Sequence, residues 1–272
     1  MGARAAVAEL TGLDARSARS ISGDVHVVAL ADGGRVVAKE SGSALAEAAS
    51  LRWLAVPGGP PVPRVLGQRG TWLVTDFVPT GSPGREAAEA FGRELAVLHG
   101  AGAPRFGSPP PDGPVEAAIG LAPMRDATGE RWPEWYLEHR VEPYLRTAVD
   151  RGLLTEGEAR LVTAKAERAD DPGEPPARLH GDLWAGNVLW AADGRAWLID
   201  PAAHGGHRET DLAMLHLFGC PHLDRVLDGY RQVTPLADGW ADRIGLHQLF
   251  PLLVHVVLFG RSYAPQLVAA AR

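Results

Sequence analysis

The chain contains one cysteine, Cys220, among 272 residues. A single thiol cannot close an internal disulfide, so nothing in the sequence calls for an oxidising compartment, and Cys220 reads as a small buried apolar residue. Excess positive charge is missing too. Against 33 Asp+Glu there are 27 Lys+Arg, a net charge of −6, with no clustered basic run of the kind a phosphate backbone needs, so no nucleic-acid partner is expected. Nor is there an uninterrupted apolar run of the roughly 20 residues that cross a bilayer. The most apolar stretch, Leu249 to Gly260, is broken by Pro251 and His255. Arg4, Glu9, Asp14 and Arg16 interrupt any apolar signal segment in the first twenty residues, and Ala6 stands where a myristoylation motif has Ser or Thr. No membrane association and a cytoplasmic location are the expectations. Internal repeats are absent, and glycine plus proline make up roughly a fifth of the chain, below the ~25–30% of low-complexity proteins. At about 150 residues per domain, the length fits one large domain or two lobes.

What is present is a change of pattern along the chain. Val25–Leu30 and Arg35–Lys39 flank the turn Ala31-Asp32-Gly33-Gly34 and predict a β-hairpin. Ser43–Ala55 predicts a helix capped by Ser43, with Leu45, Leu51 and Leu54 as its apolar positions and Glu47 along it. After the proline-rich linker 57–63, Thr71–Val78 predicts a further strand, and a lobe boundary fits at Pro79–Gly84. The pattern then turns helical: Arg85–His99, Pro133–Asp150, a helix started by a Thr155/Glu158 capping box and reaching about Asp170, then Leu212–Phe218, Asp224–Tyr230 and Trp240–Phe259. The second and third of these predict a helical hairpin. A second small β-hairpin, Val188–Trp190 with Ala196–Ile199, interrupts the helices, and Trp53, Trp72 and Trp197 are expected in the core.

The chemistry is concentrated in His180-Gly-Asp-Leu-Trp-Ala-Gly-Asn187, which matches the H-R-D-L-x-x-x-N catalytic loop of protein kinases at every fixed position except the arginine. Phosphoryl transfer to a hydroxyl needs a carboxylate beside the attacking oxygen and oxygen ligands on magnesium; Asp182 fits the first role, Asn187 the second. Asp200, delivered by the hairpin that follows, supplies a second metal ligand, in Asp200-Pro-Ala rather than the usual D-F-G. Upstream, Val36-Val-Ala-Lys39 puts a lysine on a strand where it would reach ATP phosphates, with Glu47 as its helix partner; Glu40, on the same strand, points to the other face. Taken singly, each of these reads as a turn, a cap or a solvated strand end. Their order and spacing together predict a kinase. No G-x-G-x-x-G accompanies them, so Ser22, Gly23 and Asp24 are assigned to phosphate contact by position alone. His204 and His207 lack a third ligand and are read as loop or substrate-edge residues rather than a zinc site, with Arg208 beside His207 also given to the substrate. For Trp184, packing beneath the loop and offering its face to a sugar ring both stand.

With these motifs in place, the chain resembles the fructosamine kinase (ketosamine 3-kinase) family, within the aminoglycoside phosphotransferase and protein-kinase-like superfamily. The resemblance rests on Leu179–Asn187, on Leu198–Met214 with Leu217-Phe-Gly219, and more weakly on Phe91–His99, Trp132–Arg140 and Leu246–Leu253. It implies ATP-dependent phosphorylation of a ketosamine, or glycated amine, on the sugar's third carbon, with Asp182 as base. It also implies that the hinge Thr75-Asp76-Phe77-Val78 contacts adenine, and that Asp211, with His180, supports the catalytic loop. Two departures stand out: the phosphate loop has no cysteine, so redox control by that route does not transfer, and Leu121–Arg131 differs from the family's Gln/Asn-containing stretch. The expectation is an α+β bilobal kinase-like fold, with a small antiparallel β-rich lobe over 1–78, a larger helical lobe over 79–272, and ATP with Mg2+ between them. A kinase for an aminoglycoside or amino sugar is the nearer alternative, a nucleotide-binding pseudokinase the farther; preferred sugar and oligomeric state are left open.

Overall fold

In the computed structural model, which describes residues 1–169 and 173–272, helix α1 (Ala3–Thr11) precedes strands β1 (Ala15–Ser22), β2 (Val25–Leu30) and β3 (Arg35–Glu40). Helix α2 (Ala44–Leu54) then leads to β4 (Val65–Arg69) and β5 (Trp72–Asp76). The strands form one antiparallel sheet in the order β1-β2-β3-β5-β4. Alternation along β3 sends Val36 and Ala38 to a face packed on Ala3, Ala6 and Val7 of α1, together with Val28, Trp72 and Val74. Lys39 falls on the other face, in register with Leu73, and Leu73 packs there against Ala44, Ala48 and Leu51 of α2. Lysine and helix carboxylate are thus brought to one side of the sheet by period-2 geometry alone.

No element before Val25 and no β4 is expected from the sequence. Strand β1 is an edge strand with seven of its eight residues exposed, so it carries no apolar alternation. Ser43 stands at the N-cap of α2, but its hydroxyl pairs with that of Ser41 at 2.8 Å instead of bonding the first helical turn. Leu45, one of the apolar positions of this helix, is exposed. Of the three tryptophans assigned there, only Trp72 is buried; Trp53 is half-covered by the Arg178 guanidinium at 4.7 Å, and Trp197 donates to Asp193 at 3.0 Å.

Helix α3 (Arg85–Gly100) opens the helical part. The hairpin β6 (Glu116–Ile119)–β7 (Ala122–Arg125) follows, then α4 (Trp132–Tyr136), a π-helical turn over Leu137–Val141, α5 (Glu142–Asp150) and α6 (Glu156–Glu167). The single helix expected over Pro133–Asp150 is therefore three pieces. Pro143 has no N–H for the carbonyl four residues back, and the Arg140 guanidinium, 3.3 Å away, donates to that His139 oxygen instead. Helix α6 begins with the predicted capping box: Glu158 N–H donates to Thr155 Oγ1 at 3.2 Å, and Thr155 N–H to Glu158 Oε2 at 2.8 Å. Its expected end at Asp170 lies outside the described residues. Beyond come β8 (Ala177–Leu179), the hairpin β9 (Val188–Trp190)–β10 (Ala196–Leu198), β11 (His204–Gly206), α7 (Glu209–Leu217), α8 (Leu223–Val233), α9 (Trp240–Phe259) and α10 (Ala264–Ala270).

Helix α9 is long and apolar enough to cross a bilayer by length and composition, more so than the broken stretch Leu249–Gly260 suggests. Its Leu249, Phe250, Leu252, Leu253 and Val256 nevertheless pack with Trp132, Tyr136 and Met124 in the main core, so it serves as the central helix of this lobe. Pro251 interrupts its hydrogen bonding, and the Tyr136 hydroxyl covers the gap by donating to Leu246 O at 2.8 Å and accepting from Phe250 N–H at 3.1 Å.

Candidate active site

The catalytic loop runs from β8 to β9 and is held from behind by Asp211, the third residue of α7. Asp211 is fully buried, and its carboxylate accepts the N–H of His180 at 2.7 Å and of Gly181 at 3.0 Å. His99 of α3 lies 3.1 Å from the same carboxylate and 2.8 Å from the Tyr230 hydroxyl. Burial pushes the Asp211 carboxyl up, but these donors outweigh it and hold the group below the ordinary carboxylate value. Gly181 explains the departure from H-R-D. Its φ is +83°, and a Cβ there would collide with the carbonyl of Ala202, so neither arginine nor alanine fits. His180 is kept neutral chiefly by burial; it donates through Nε2 to Ile199 O at 2.9 Å and accepts the Asp182 N–H on Nδ1 at 3.3 Å.

Asp182 and Asn187 face one another across the loop. Asn187 Nδ2 donates to the Asp182 carbonyl at 2.8 Å and to its Oδ2 at 3.2 Å, which turns the amide oxygen of Asn187 away from the loop. Asp200 follows β10 with φ at +51°, a backbone region that Asp tolerates better than most residues, while the preceding N–H of Ile199 donates to Asn187 O at 3.1 Å. Lys39 closes the arrangement from the sheet side: its Nζ is 2.8 Å from Glu47 Oε2 and 2.8 Å from Asp200 Oδ1. All five side chains singled out by spacing therefore line one cavity of about 310 Å³.

The electrostatics follow from three carboxylates and one ammonium. Burial pushes the Asp182 carboxyl up to about 6, with Asp200 and Asp211 adding to the rise and the Asn187 hydrogen bond opposing it. Burial likewise raises Glu47 to about 7 against the pull of Lys39. Lys39 itself is penalised by burial, but Glu47 and Asp200 more than offset this and leave it raised, hence charged. A site with excess carboxylate and a free amide oxygen suits a hard divalent cation, and Asn187, Asp200 and Asp182 are the oxygen donors within it.

Other sequence-assigned residues fall in different places. Ser22, Gly23 and Asp24 form the exposed β1–β2 turn; since Val25 is in register with Lys39, the turn stands over the lysine end of the sheet. At the hinge, Asp76 is already engaged: its N–H donates to Arg64 O at 3.1 Å and its carboxylate takes Arg64 Nε at 2.7 Å. Trp184, 40% exposed, lines the cavity with its ring laid against Gly186, where no Cβ would fit, and edge-on to Phe218 at 6.1 Å.

His207 and Arg208 do not reach the cavity. Strand β11 pairs with β8 behind the loop, which turns both side chains inward. His207 is buried between Trp132 and His247, at 5.0 and 4.9 Å, and Arg208 clamps Glu174 while donating to Pro235 O at 2.8 Å. His207, Glu209 and His247 bring metal-ligating atoms within 4.8 Å of one another, but both Glu209 oxygens are held by Arg243, at 2.6 and 2.8 Å, so a cation already occupies that carboxylate. Two residues of the site escaped the sequence. His99 sits at a core position of α3, where its ring reads as packing. Asp126, after β7, is 2% exposed beside the cavity and pairs with Arg140 at 2.9 Å; its signal was an aspartate without a turn motif.

The family model for fructosamine kinase matches residues 38–271. A ketoamine kinase homologue of Enterococcus faecium is 32% identical over 201 residues, which cover 72% of this chain and 69% of the relative. One of Escherichia coli K12 is 31% identical over 194 residues, 71% of this chain and 65% of the relative, so the aligned part spans about two thirds of these curated proteins. Among solved structures, a fructosamine-3-kinase homologue of Thermobifida fusca superposes with a TM-score of 0.91 at 49% identity, covering 99% of this chain and 96% of that one. A macrolide 2'-phosphotransferase at 20% identity and TM-score 0.62 shares the fold, which is the α+β bilobal kinase-like one. With the family model spanning all but the first strands and with the lysine, the helix carboxylate and the catalytic loop converging in one cleft, the chain belongs to the fructosamine kinase family.

Proposed function

We propose that this protein transfers the terminal phosphoryl group of ATP to the third-carbon hydroxyl of a small ketosamine. The observation that carries the reading is Lys39, bonded at 2.8 Å to both Glu47 and Asp200 and facing Asp182 and Asn187 across the same cavity. Residues 1–78 would form the nucleotide lobe and 79–272 the lobe that holds the acceptor. Lys39, oriented by Glu47, would meet the phosphates; the Ser22–Asp24 turn would cover them, and the main chain of Phe77 and Val78 would take the adenine. Asn187 and Asp200 would hold magnesium, which when bound neutralises charge on the phosphates. Asp182 accepts the acceptor's hydroxyl proton on its carboxylate, and the loop's fixed geometry supplies most of the rate enhancement through position and electrostatics. A cytoplasmic location belongs to this reading, since that is where ATP is abundant.

Phosphorus NMR of products formed from ATP with fructosyl-lysine, ribulosyl-lysine and an aminoglycoside tests it. A new phosphomonoester resonance on the ketose third carbon is expected. Transfer to the aminoglycoside alone, or ATP turnover with none of the three, would remove the reading.

A further inference from the structure

The reaction cavity is chemically two-ended. Lys39, Glu47, Asp182, Asn187 and Asp200 crowd one end. The other is walled by the tip of the β6–β7 hairpin and the end of α9, and its lining residues include Ile119, Leu121, Val254, Leu258 and Phe259. Two of these are bare where a folded protein usually covers apolar groups: Leu121 is 89% exposed and Phe259 59%. The patch is continuous with the catalytic loop. At the hairpin tip a Cβ on Gly120 would come within van der Waals range of Leu258; His255 packs on Phe259 at 5.4 Å and on Phe218 at 4.9 Å; Phe218 meets Trp184 at 6.1 Å.

The hairpin is rigidly seated although its tip is bare. Asp126 N–H donates to Val115 O at 2.8 Å across its base, Arg140 donates to Arg125 O at 2.8 Å, and the Tyr144 hydroxyl to Pro123 O at 2.7 Å. Free charge is missing from this end among the described residues. Asp126 is 2% exposed, with Oδ1 on Arg140 at 2.9 Å and Oδ2 enclosed without a partner, so its charge is not presented to the cavity, and His255, whose Nδ1 donates to Pro251 O at 2.7 Å, is held neutral chiefly by burial.

We infer that this wall is a subsite for an apolar, preferably aromatic, substituent on the acceptor's amine, with Leu121 and Phe259 as its specificity-determining side chains. The inference rests on the proposed ketosamine activity and deepens it. If the reacting sugar sits against Asp182, the group attached to its amine extends towards the uncharged end. There an aryl group loses water-exposed area against Leu121 and Phe259, whereas the ammonium and carboxylate of a free lysine adduct would meet no partner of opposite charge.

The test uses the full chain, saturating ATP, and 1-amino-1-deoxyfructose carrying a benzyl, a methyl or a free-lysine substituent on the amine. One well-placed apolar group in a pocket is worth ~10-fold or more in kcat/KM, so the benzyl adduct should exceed the methyl adduct by at least about that factor and the lysine adduct should fall below benzyl. In Leu121→Asp and Phe259→Ser the benzyl-to-methyl ratio should drop to near one; both sites are exposed, so folding is not at issue. Val233→Asp, at an exposed apolar residue of α8 away from the cavity, should keep the ratio. Equal kcat/KM for benzyl and methyl adducts in the unaltered protein, a ratio unmoved by Leu121→Asp, or faster phosphorylation of a glycated protein than of any small adduct would overturn the inference while leaving ketosamine phosphorylation in place. Phosphorylation of none of the adducts would overturn both.

Discussion

Acidification probes the two raised carboxyls of the cleft separately. As the proposed base, Asp182 would act only when ionised, and burial places its proton affinity at about 6. A single group of that pKa is ~97% ionised at pH 7.5, half at pH 6 and ~9% at pH 5, so turnover should fall by about tenfold from pH 7.5 to pH 5 and by a further factor of ten for each unit below. The sign is fixed by the role: the protonated form accumulates below the pKa, and activity is lost on the acid side. Glu47, raised to about 7, also takes up a proton in this range, but Lys39 then keeps its 2.8 Å contact with Asp200. Its titration should loosen the lysine rather than abolish catalysis, adding a shallow shoulder near neutrality. The assay is ADP release under saturating ATP, magnesium and acceptor from pH 5 to 9, for the unaltered protein and for Glu47→Gln. The steep limb near 6 should persist in Glu47→Gln, while the shoulder disappears. A turnover at pH 5 within twofold of that at pH 7.5, or a steep limb that vanishes with Glu47, would refute the assignment of Asp182 as the base.

Three further outcomes are expected. Asp182→Asn should lower turnover on the order of 10²-fold or more with nucleotide affinity retained, as measured by single-turnover kinetics and calorimetric ATP titration; full turnover would contradict the base assignment. Gly181→Ala must accept both a left-handed φ and a Cβ against the Ala202 carbonyl, together costing about 2–4 kcal/mol. At roughly 2–4 °C per kcal/mol for a chain of this size, its thermal midpoint should drop by at least about 4 °C in calorimetry, and an unchanged midpoint would show that the loop can relax. Arg243→Met strands Glu209 in the interior and should cost about 3–5 kcal/mol in urea unfolding at pH 7. Glu209 is held at about 2, burial's upward push being outweighed by Arg243 and His247, so the pair's contribution is full above the ordinary carboxylate range and fades as pH falls towards 2. The deficit of the variant should accordingly shrink in acid, because the stranded carboxyl can then protonate.

Much of the cleft was legible because its residues are placed by local rules. Lys39 and Glu47 meet through strand alternation followed directly by a helix, and Asp182, Asn187 and Asp200 lie on one loop and the hairpin it feeds, so spacing alone fixes their neighbourhood. The residues misplaced were those whose position depends on non-local pairing. His207 and Arg208 follow Asp200 closely in the chain, which points them to the substrate, yet three-residue strands β8 and β11, too short to leave a periodic signal, rotate them into the interior. The hairpin β6–β7, which forms one wall of the cavity, has strands of only four residues and was invisible for the same reason. Strand β1 failed differently: an exposed edge has no buried face to imprint on the sequence. His99 shows a third limit, since a histidine on the apolar stripe of a helix looks like packing until the carboxylate it touches is known.

The hold of Asp211 on the loop also accounts for what replaces the missing arginine at position 181. An arginine there would act through its side chain, but the φ of +83° and the nearness of the Ala202 carbonyl exclude any side chain. What remains available is the backbone, and Asp211 takes it, with one oxygen on the N–H of His180 and the other on that of Gly181. Hydrogen bonds to a buried charge are worth about 1.5–3 kcal/mol each, about twice the neutral kind, and two of them fix the plane of the loop immediately before Asp182. The carboxylate is in turn pinned by His99 from α3, and His99 by Tyr230 from α8, so three helices converge on one anion. A loop held this way is in position before any nucleotide arrives. Asp211→Asn should therefore damage catalysis through geometry: the amide must present a donor to one of the two N–H groups, Asp182 drifts, and kcat falls even at high pH, where Asp182 is fully ionised, while the acid limb moves to lower pH because the Asp211 charge no longer adds to the rise. If the limb moved and kcat at high pH were intact, Asp211 would be acting on Asp182 through its charge alone and not through the backbone it holds.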